Sequence, residues 1–407
     1  MEKQKQVSLF SIPVIVAALG YFVDIYDLLL FSIVRKASLT DLGLDQAALS
    51  SEGMDIIGHQ MLGLLIGGII WGIMGDKKGR LSVLFGSILL YSVANIMNGF
   101  VQNATQYSWC RFIAGIGLAG ELGAGITLVS ELLPKEKRGI ATSLVAGIGL
   151  TGAVLAYFIS QQFHWTTCYF IGGGLGLSLL LLRVSVFESG MFKNIRHSNV
   201  SKGNFTKFFT SGTRFKKYLL SILIGLPTWY VIGILVSFSD KFAAEMNISG
   251  EVDPGKAVMY AYAAISIGDV LIGLLSQLLR SRKKALLIFY GITALGIFLF
   301  FNQQNGTAET MYFYCALLGF GTGFWAIFVT MAAEQFGTNL RATAATTVPN
   351  IVRGSLPLLI FMFNSLQPAQ SYLNAAIITG VTAMVIGTIA VVFTEETFGK
   401  DLDFVES

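Results

Sequence analysis

Asp24 and Asp27 stand three residues apart in "YFVDIYDLLLF", Tyr21 to Phe31, within an otherwise apolar run. Arg111, Glu121, Asp269 and Arg353 are likewise set deep in apolar segments. A charge at the centre of a hydrocarbon layer costs about 2.5–3.5 kcal/mol on insertion scales, so such residues face a protein interior or a wet cavity. The i, i+3 spacing places both aspartates on one helical face. Two neighbouring carboxylates beside an arginine can take up and release a proton, because a like charge and a cation act on their proton affinity in opposite senses.

Depth along each segment says which groups can meet. At 1.5 Å per helical residue, Asp27 falls roughly 24 Å from the start of its segment and Arg111 roughly 6 Å from the opposite face. In a layer about 30 Å thick these are the same level, which makes Arg111 the expected counter-charge. A static buried ion pair joining two helices is the competing reading. Arg353, in "TVPNIVRGSLPLL", lies about 17 Å into its segment, where Pro349, Gly354 and Pro357 interrupt the helix. A guanidinium there can grip a carboxylate or phosphate bidentately, or Asp269 at a similar depth can neutralise it. Tyr26, Trp229, Tyr230, Tyr262, Trp325 and Asn350 fall where a central cavity would use aromatic walls and an amide. Aromatic side chains in such helices also pack or face lipid. Glu121, among glycines that allow close helix approach, can serve as a packing hydrogen-bonder. His59, at a helix start, is either a titrating sensor or a solvated end.

The elements that must position these groups are membrane helices. Of 407 residues, 54% are hydrophobic and only 13% charged, against roughly 25% charged in soluble domains. Apolar runs read as twelve spans near 11–34, 56–74, 81–101, 107–130, 139–160, 166–187, 217–238, 256–279, 285–302, 310–332, 342–365 and 371–393, each long enough to cross the hydrocarbon layer. The basic residues gather in alternate connections: Lys77, Lys78, Arg80, Lys135, Lys137, Arg138, Arg282, Lys283, Lys284 and Arg341 on one side, only Arg35, Lys36, Lys241 and Lys256 on the other. That asymmetry predicts both termini in the cytoplasm of a multi-pass protein of a cell membrane, a bacterial cytoplasmic membrane in particular. It also accounts for the formal charge of +4 without nucleic acid as a partner; the basic connections contact anionic headgroups of the bilayer.

The chain divides into residues 1–187, a basic polar linker at 188–216, residues 217–395 and a tail at 396–407. "ELLPKEKRG" (Glu131 to Gly139) is echoed by "EQFGTNLRA" (Glu334 to Ala342), with Glu and Arg at the same separation. A repeated six-span unit follows, and in carriers built that way the solute site lies between the halves near the midplane. The acids and arginines at these helix ends, Asp76, Arg80, Glu131, Arg138, Glu334 and Arg341, exceed what topology needs, since Asp and Glu add little to it.

These motifs, in this order, resemble the major facilitator superfamily over essentially the whole chain. "GIMGDKKGR" (Gly72 to Arg80) is similar to the family's loop between helices two and three, with Leu81 where another basic residue is common. "RFIAGIGLAGELGAG" with "SELLPKEKRG" resembles the pattern of the metabolite:proton symporter branch, with Ala119 in place of one glycine. "DIYD" is similar to helix one of phosphate:proton symporters, but Glu121-Leu122-Gly123 replaces their Asp-Tyr-Pro and argues against phosphate. The resemblance implies an all-α membrane fold of two six-helix halves. It makes Glu121 a second proton site beside Asp24, Asp27 and Arg111, and the helix-end charges a cytoplasmic gate. The function expected is symport of a small anionic metabolite with protons by a monomer. Antiport of an amphipathic compound, or carriage of a zwitterion or sugar, is the alternative.

Enzymatic chemistry fits poorly. His59, His164 and His197 lack metal-ligand spacing, and Cys110, Cys168 and Cys315 read as packing residues,. No phosphate-cradling loop of the ATP-binding kind is present, and no cofactor or metal is called for. A receptor built on the same fold would not need the buried acids.

Overall fold

The computed structural model describes residues 11–133, 135–182, 203–303 and 306–406. Among these, twelve helices are long and apolar enough to span a membrane: α1 Ile12–Asp41, α2 Asp55–Lys78, α3 Arg80–Asn98, α4 Ala104–Leu132, α5 Gly139–Gln162, α6 Trp165–Leu182, α7 Gly212–Val236, α8 Pro254–Leu278, α9 Arg282–Phe301, α10 Ala308–Glu334, α11 Arg341–Leu366 and α12 Tyr372–Phe393. Each matches an expected span. The first runs past its apolar stretch to Asp41, so Arg35 and Lys36 sit on the helix rather than in a loop. Most of the linker lies outside the described residues; its end forms a short 3-10 turn, Phe205–Phe208, whose Phe208 stacks on Tyr218 of α7.

Two seams join the six-helix halves, and small residues make both. On α2, Gly68, Gly72 and Gly75 face Asn350, Thr343 and Ala342 of α11 so closely that a Cβ at any of the three would lie within 3.0 Å of α11 atoms. The spacing of those glycines is one helical face, and their missing side chains let two backbones touch. On the other side, Gly147 of α5 offers its carbonyl to the Ser266 hydroxyl of α8 at 2.5 Å. Gly273 of α8 packs against Ser143 of α5. Both seams are closed at the end that carries Asp76, Glu131 and Arg341. Toward the other end the halves part around a mostly apolar cavity of about 560 Å³.

Several spans break near mid-depth. The first segment of α4 ends at Leu118 and the second begins at Glu121; α11 breaks between Gly354 and Leu356, with Ser355 as the joint. In α10 the break runs from Thr322 to Phe324. Pro227 lies inside α7, where it has no N–H to donate, and a π-helical turn, Val231–Val236, follows it. Such interruptions free backbone groups inside a layer that has no water to satisfy them, so they survive only where protein atoms or a cavity take over.

Beyond α12, Glu396 caps α9, accepting the N–H groups of Arg282 at 3.0 Å and Lys283 at 3.3 Å and the Ser281 hydroxyl at 2.5 Å. Burial alone would raise its pKa, but the Ser281 hydroxyl and the N–H groups of Phe398, Arg282 and Lys283 together hold the carboxyl below its ordinary value. The lowered folded pKa makes the contribution complete above the unfolded value and lost as pH falls through the folded one. Glu396→Ala is therefore expected to cost roughly 1 kcal/mol at neutral pH, as loss of a helix cap does, seen as a lower thermal midpoint in detergent.

Candidate functional site

Between the halves, a central pocket is lined by Tyr21 of α1, Thr228 and Trp229 of α7, Tyr262 of α8, and Trp325 and Arg353 at the breaks of α10 and α11. Its volume is only about 20 Å³, room for about one water. Trp229 and Ile232 line both this pocket and the 560 Å³ cavity, so they form the wall between them. Arg353 is 2% exposed. Its guanidinium lies 5.6 Å over the Trp325 ring and donates to Asn350 Oδ1 at 3.2 Å. Several polar atoms of the lining are without hydrogen bonds among the described residues: Tyr21 Oη, Thr228 Oγ1, the Trp229 and Trp325 indole N–H groups and Arg353 Nε, whereas the Thr322 hydroxyl is satisfied by carbonyls of its own helix. Buried donors left unsatisfied cost about 1–3 kcal/mol each. A ligand rich in acceptors would relieve several at once.

Four of the residues expected to bind substrate, Arg353, Trp229, Tyr262 and Trp325, thus converge, and four do not line the pocket. Asp269 does not pair with Arg353. It reaches from α8 to the break in α10 and accepts the Ala326 N–H at 3.0 Å, capping a helix segment whose own cap residue, Phe324, offers no side-chain bond. It thereby positions Trp325. Asn350 donates to the Ala119 carbonyl freed by the break in α4, at 2.8 Å, and orients Arg353 rather than lining the space. Tyr26 is turned to α6, donating to the Cys168 carbonyl at 2.9 Å. Tyr230 is turned to α12, donating to the Ala376 carbonyl at 2.8 Å. Tyr21, Thr228 and Thr322, which the sequence alone did not single out, add polar groups to the lining; Tyr21 is one turn before Asp24 and shares its face.

The level match between Asp27 and Arg111 holds, with a different bond. Arg111 donates to the Asp27 backbone carbonyl at 2.9 Å, to Asn95 Oδ1 at 2.9 Å and to Gln60 Oε1 at 3.3 Å, and lies 5.5 Å from the Tyr169 ring centre. It makes no ion pair with either aspartate among the described residues. The Asp27 carboxylate, fully buried, presses on Gly172 of α6, where an added Cβ would lie 2.2 Å from Oδ1. Among the described residues neither of its oxygens accepts a well-formed hydrogen bond, while the Arg111 charge and the Asn95 side chain, a hydrogen-bonding neighbour, both act on it. Asp24, also fully buried, acts on the Tyr21 hydroxyl together with Arg353, Tyr262 and Asp269. The two aspartates therefore have different surroundings: Asp24 lies within electrostatic reach of Tyr21 at the pocket, and Asp27 lies at the Arg111 cluster. Glu121 is buried at the start of the second segment of α4, at a break and not within a continuous helix.

At the sealed end, charged groups link the halves directly. Glu131 Oε1 accepts from Arg80 at 2.7 Å and from Arg341 of the other half at 3.1 Å. Asp76 accepts the N–H groups of Ala342 at 3.1 Å and Thr343 at 2.8 Å. It thus caps α11 from the opposite half, an acid at a helix N-terminus. Glu334 takes Arg282 at 3.1 Å. Of the helix-end charges, Arg341 thus bridges to Glu131 of the other half while Glu334 is held by Arg282 within its own, and the Arg138 side chain lies outside the described residues.

With this architecture in view, a sequence-family profile described as the Major Facilitator Superfamily matches residues 17–356. The chain belongs to that superfamily. Over 96% of this chain and 97% of the other, it superposes on the proton:xylose symporter XylE with a TM-score of 0.75 at 17% identity, a likeness of fold. Among curated proteins it is 25% identical to the niacin transporter NiaP of Acinetobacter baylyi, over 96% of this chain and 95% of that one. It is also 25% identical to a gentisate transporter of Corynebacterium glutamicum, over 79% and 73% respectively. As a Major Facilitator Superfamily transporter it is a multi-pass membrane protein that moves small molecules, and its motifs place it with the metabolite:proton symporter type.

Proposed function

We propose that the protein is a proton-coupled symporter of a small planar carboxylate, an aromatic monocarboxylate in particular, working by alternating exposure of the central pocket. The observation that carries this reading is Arg353 buried among Tyr21, Trp229, Tyr262 and Trp325 with donors unpaired. The pocket as it stands, about 20 Å³, must widen to admit a ring; once it does, indole and phenol faces flank the ring, where aromatic contacts add about 0.5–1.5 kcal/mol beyond burial. A carboxylate answers the guanidinium and the neighbouring N–H groups. Niacin and gentisate, for which two relatives are named, are both aromatic rings bearing a carboxylate. In this reading the sealed end is cytoplasmic, Asp76, Arg80, Glu131 and Arg341 form its gate, and both termini lie on that side.

Proteoliposomes carrying an inward proton gradient should accumulate radiolabelled nicotinate, benzoate or gentisate, and a protonophore should collapse the accumulation. Accumulation that follows a sodium gradient instead would reject proton coupling. Uptake that runs only against the proton gradient would identify antiport.

A further inference from the structure

Residues 401–406 lie on the sealed end rather than trailing from it. They cross the loop from Gly337 to Arg341 that joins α10 to α11, without helix or strand of their own. The Thr338 N–H donates to the Phe404 carbonyl at 2.8 Å and its hydroxyl to the Leu402 carbonyl at 3.3 Å. Asn339 and Glu406 exchange two bonds: the Asn339 amide donates to the Glu406 carbonyl at 3.0 Å, and the Glu406 N–H to Asn339 Oδ1 at 2.9 Å. The Gly337 N–H donates to Glu406 Oε1 at 3.3 Å. Arg341 donates to the Leu402 carbonyl, and the Leu402 side chain is fully buried.

The loop so clamped is the one that reaches across the seam. The Thr338 carbonyl accepts from Arg80 at 3.2 Å, and Arg341 bonds Glu131, both in the other half. Each of these two groups is held from behind by the tail. A second brace comes from the linker's end: the Gly203 N–H donates to the Asn339 carbonyl at 2.9 Å. There the backbone has φ +56° and passes so near Ile73 of α2 that an added Cβ would lie 2.6 Å from its carbonyl oxygen. Only glycine meets both conditions without strain.

We propose that the carboxyl-terminal segment is a latch: the loop from Gly337 to Arg341 is a docking site for an extended acidic peptide, filled in cis by residues 401–406, and its occupancy favours closure of the sealed end. Opening that end must break the bonds of Arg341 to Glu131 and of Arg80 to Thr338. With the tail seated, Thr338 and Arg341 are already ordered and the bonds re-form at little entropic cost. With it removed, the loop must be ordered each time. A net loss equal to one or two hydrogen bonds moves the open-to-closed ratio roughly tenfold.

The test reads that ratio without any substrate. Ser143, buried at the α5–α8 seam with no hydrogen bond for its hydroxyl, is replaced by Ser143→Cys. Labelling of the introduced thiol by a polar maleimide in the full chain then reports the minor population with the sealed end open. Truncation after Lys400 should raise the labelling rate roughly tenfold, and Leu402→Glu in the full-length chain should do the same. A synthetic peptide of sequence GKDLDFVES should return the truncated protein toward the slow rate. Unchanged labelling in both variants, or a rise the peptide does not reverse, overturns the latch. So does a parallel rise at the buried Cys110, Cys168 and Cys315, which would report general loosening.

Discussion

Arg353→Ala is expected to raise the dissociation constant for an aromatic monocarboxylate at least roughly 30-fold, the equivalent of about 2 kcal/mol and the low end for truncating one partner of a buried charge pair. The guanidinium is held by Asn350 on one side and the Trp325 ring on another, so it arrives with its fork already oriented. Little conformational freedom is left to lose when a carboxylate docks. Arg353→Lys should recover only a minor part of the loss, because an ammonium is a point charge and cannot present two parallel donors. Equilibrium binding of labelled nicotinate and benzoate to the purified protein measures both variants. Unchanged affinity in Arg353→Ala would remove the residue from the site and the carboxylate from the proposal. Asn350→Ala, which leaves the charge but frees the arginine, should show a smaller loss in the same assay.

The contrast between Arg353 and Asp269 shows what the sequence can and cannot state. Hydropathy and charge patterning located all twelve spans, since a membrane layer imposes one length and one composition on every helix that crosses it. Depth, read at 1.5 Å per residue, correctly put Arg111 beside Asp27 and Arg353 near the pocket. Which face a side chain takes depends on helix breaks, and those were only half visible. Pro349, Gly354 and Pro357 advertised the joint in α11. Nothing as plain marks the joint in α10, where Gly321 and Gly323 flank a threonine. The demand it creates for a cap drew Asp269 away from Arg353 to the Ala326 N–H. Tyr26 and Tyr230 went astray for a related reason: a phenol in an apolar layer turns to whatever carbonyl it can reach, and both found one on a neighbouring helix of their own half.

The same logic joins the pocket to the seams. Asn350 touches Ala119 across the halves and Arg353 along its own helix. Gly68 of α2 packs directly on the Asn350 side chain. A rocking motion that parts α2 from α11 must therefore disturb the residue that orients the arginine. In the proposed alternation, Asn350 would link occupancy of the pocket to closure of the sealed end, which is what a carrier needs if the loaded and empty forms are to differ in their preferred openings.

Asp27→Asn is expected to abolish proton-driven accumulation while leaving counterflow exchange intact. One pH unit is worth about 1.4 kcal/mol per proton, so a carrier moving one proton with its substrate can sustain a tenfold concentration ratio across such a gradient. The variant should reach a ratio near unity. The carboxylate it replaces accepts no well-formed hydrogen bond among the described residues and rests on Gly172 of α6 beside Asn95, while Arg111 is tied to the backbone of the same turn and to Asn95. In the proposed mechanism a rotation of α1 against α4 and α6 would change the separation of carboxylate and guanidinium, and with it the cost of carrying a charge there. Asparagine keeps the shape but cannot change charge, so substrate can still shuttle by exchange, which moves no net proton. Asp24→Asn supplies the discriminating comparison, because Asp24 lies one turn from Tyr21 of the pocket and within its electrostatic reach, and its loss should weaken substrate binding as well. If Asp27→Asn still concentrates substrate while Asp24→Asn does not, the proton travels on Asp24, and Asp27 with Arg111 is a structural cluster holding α1 to α4.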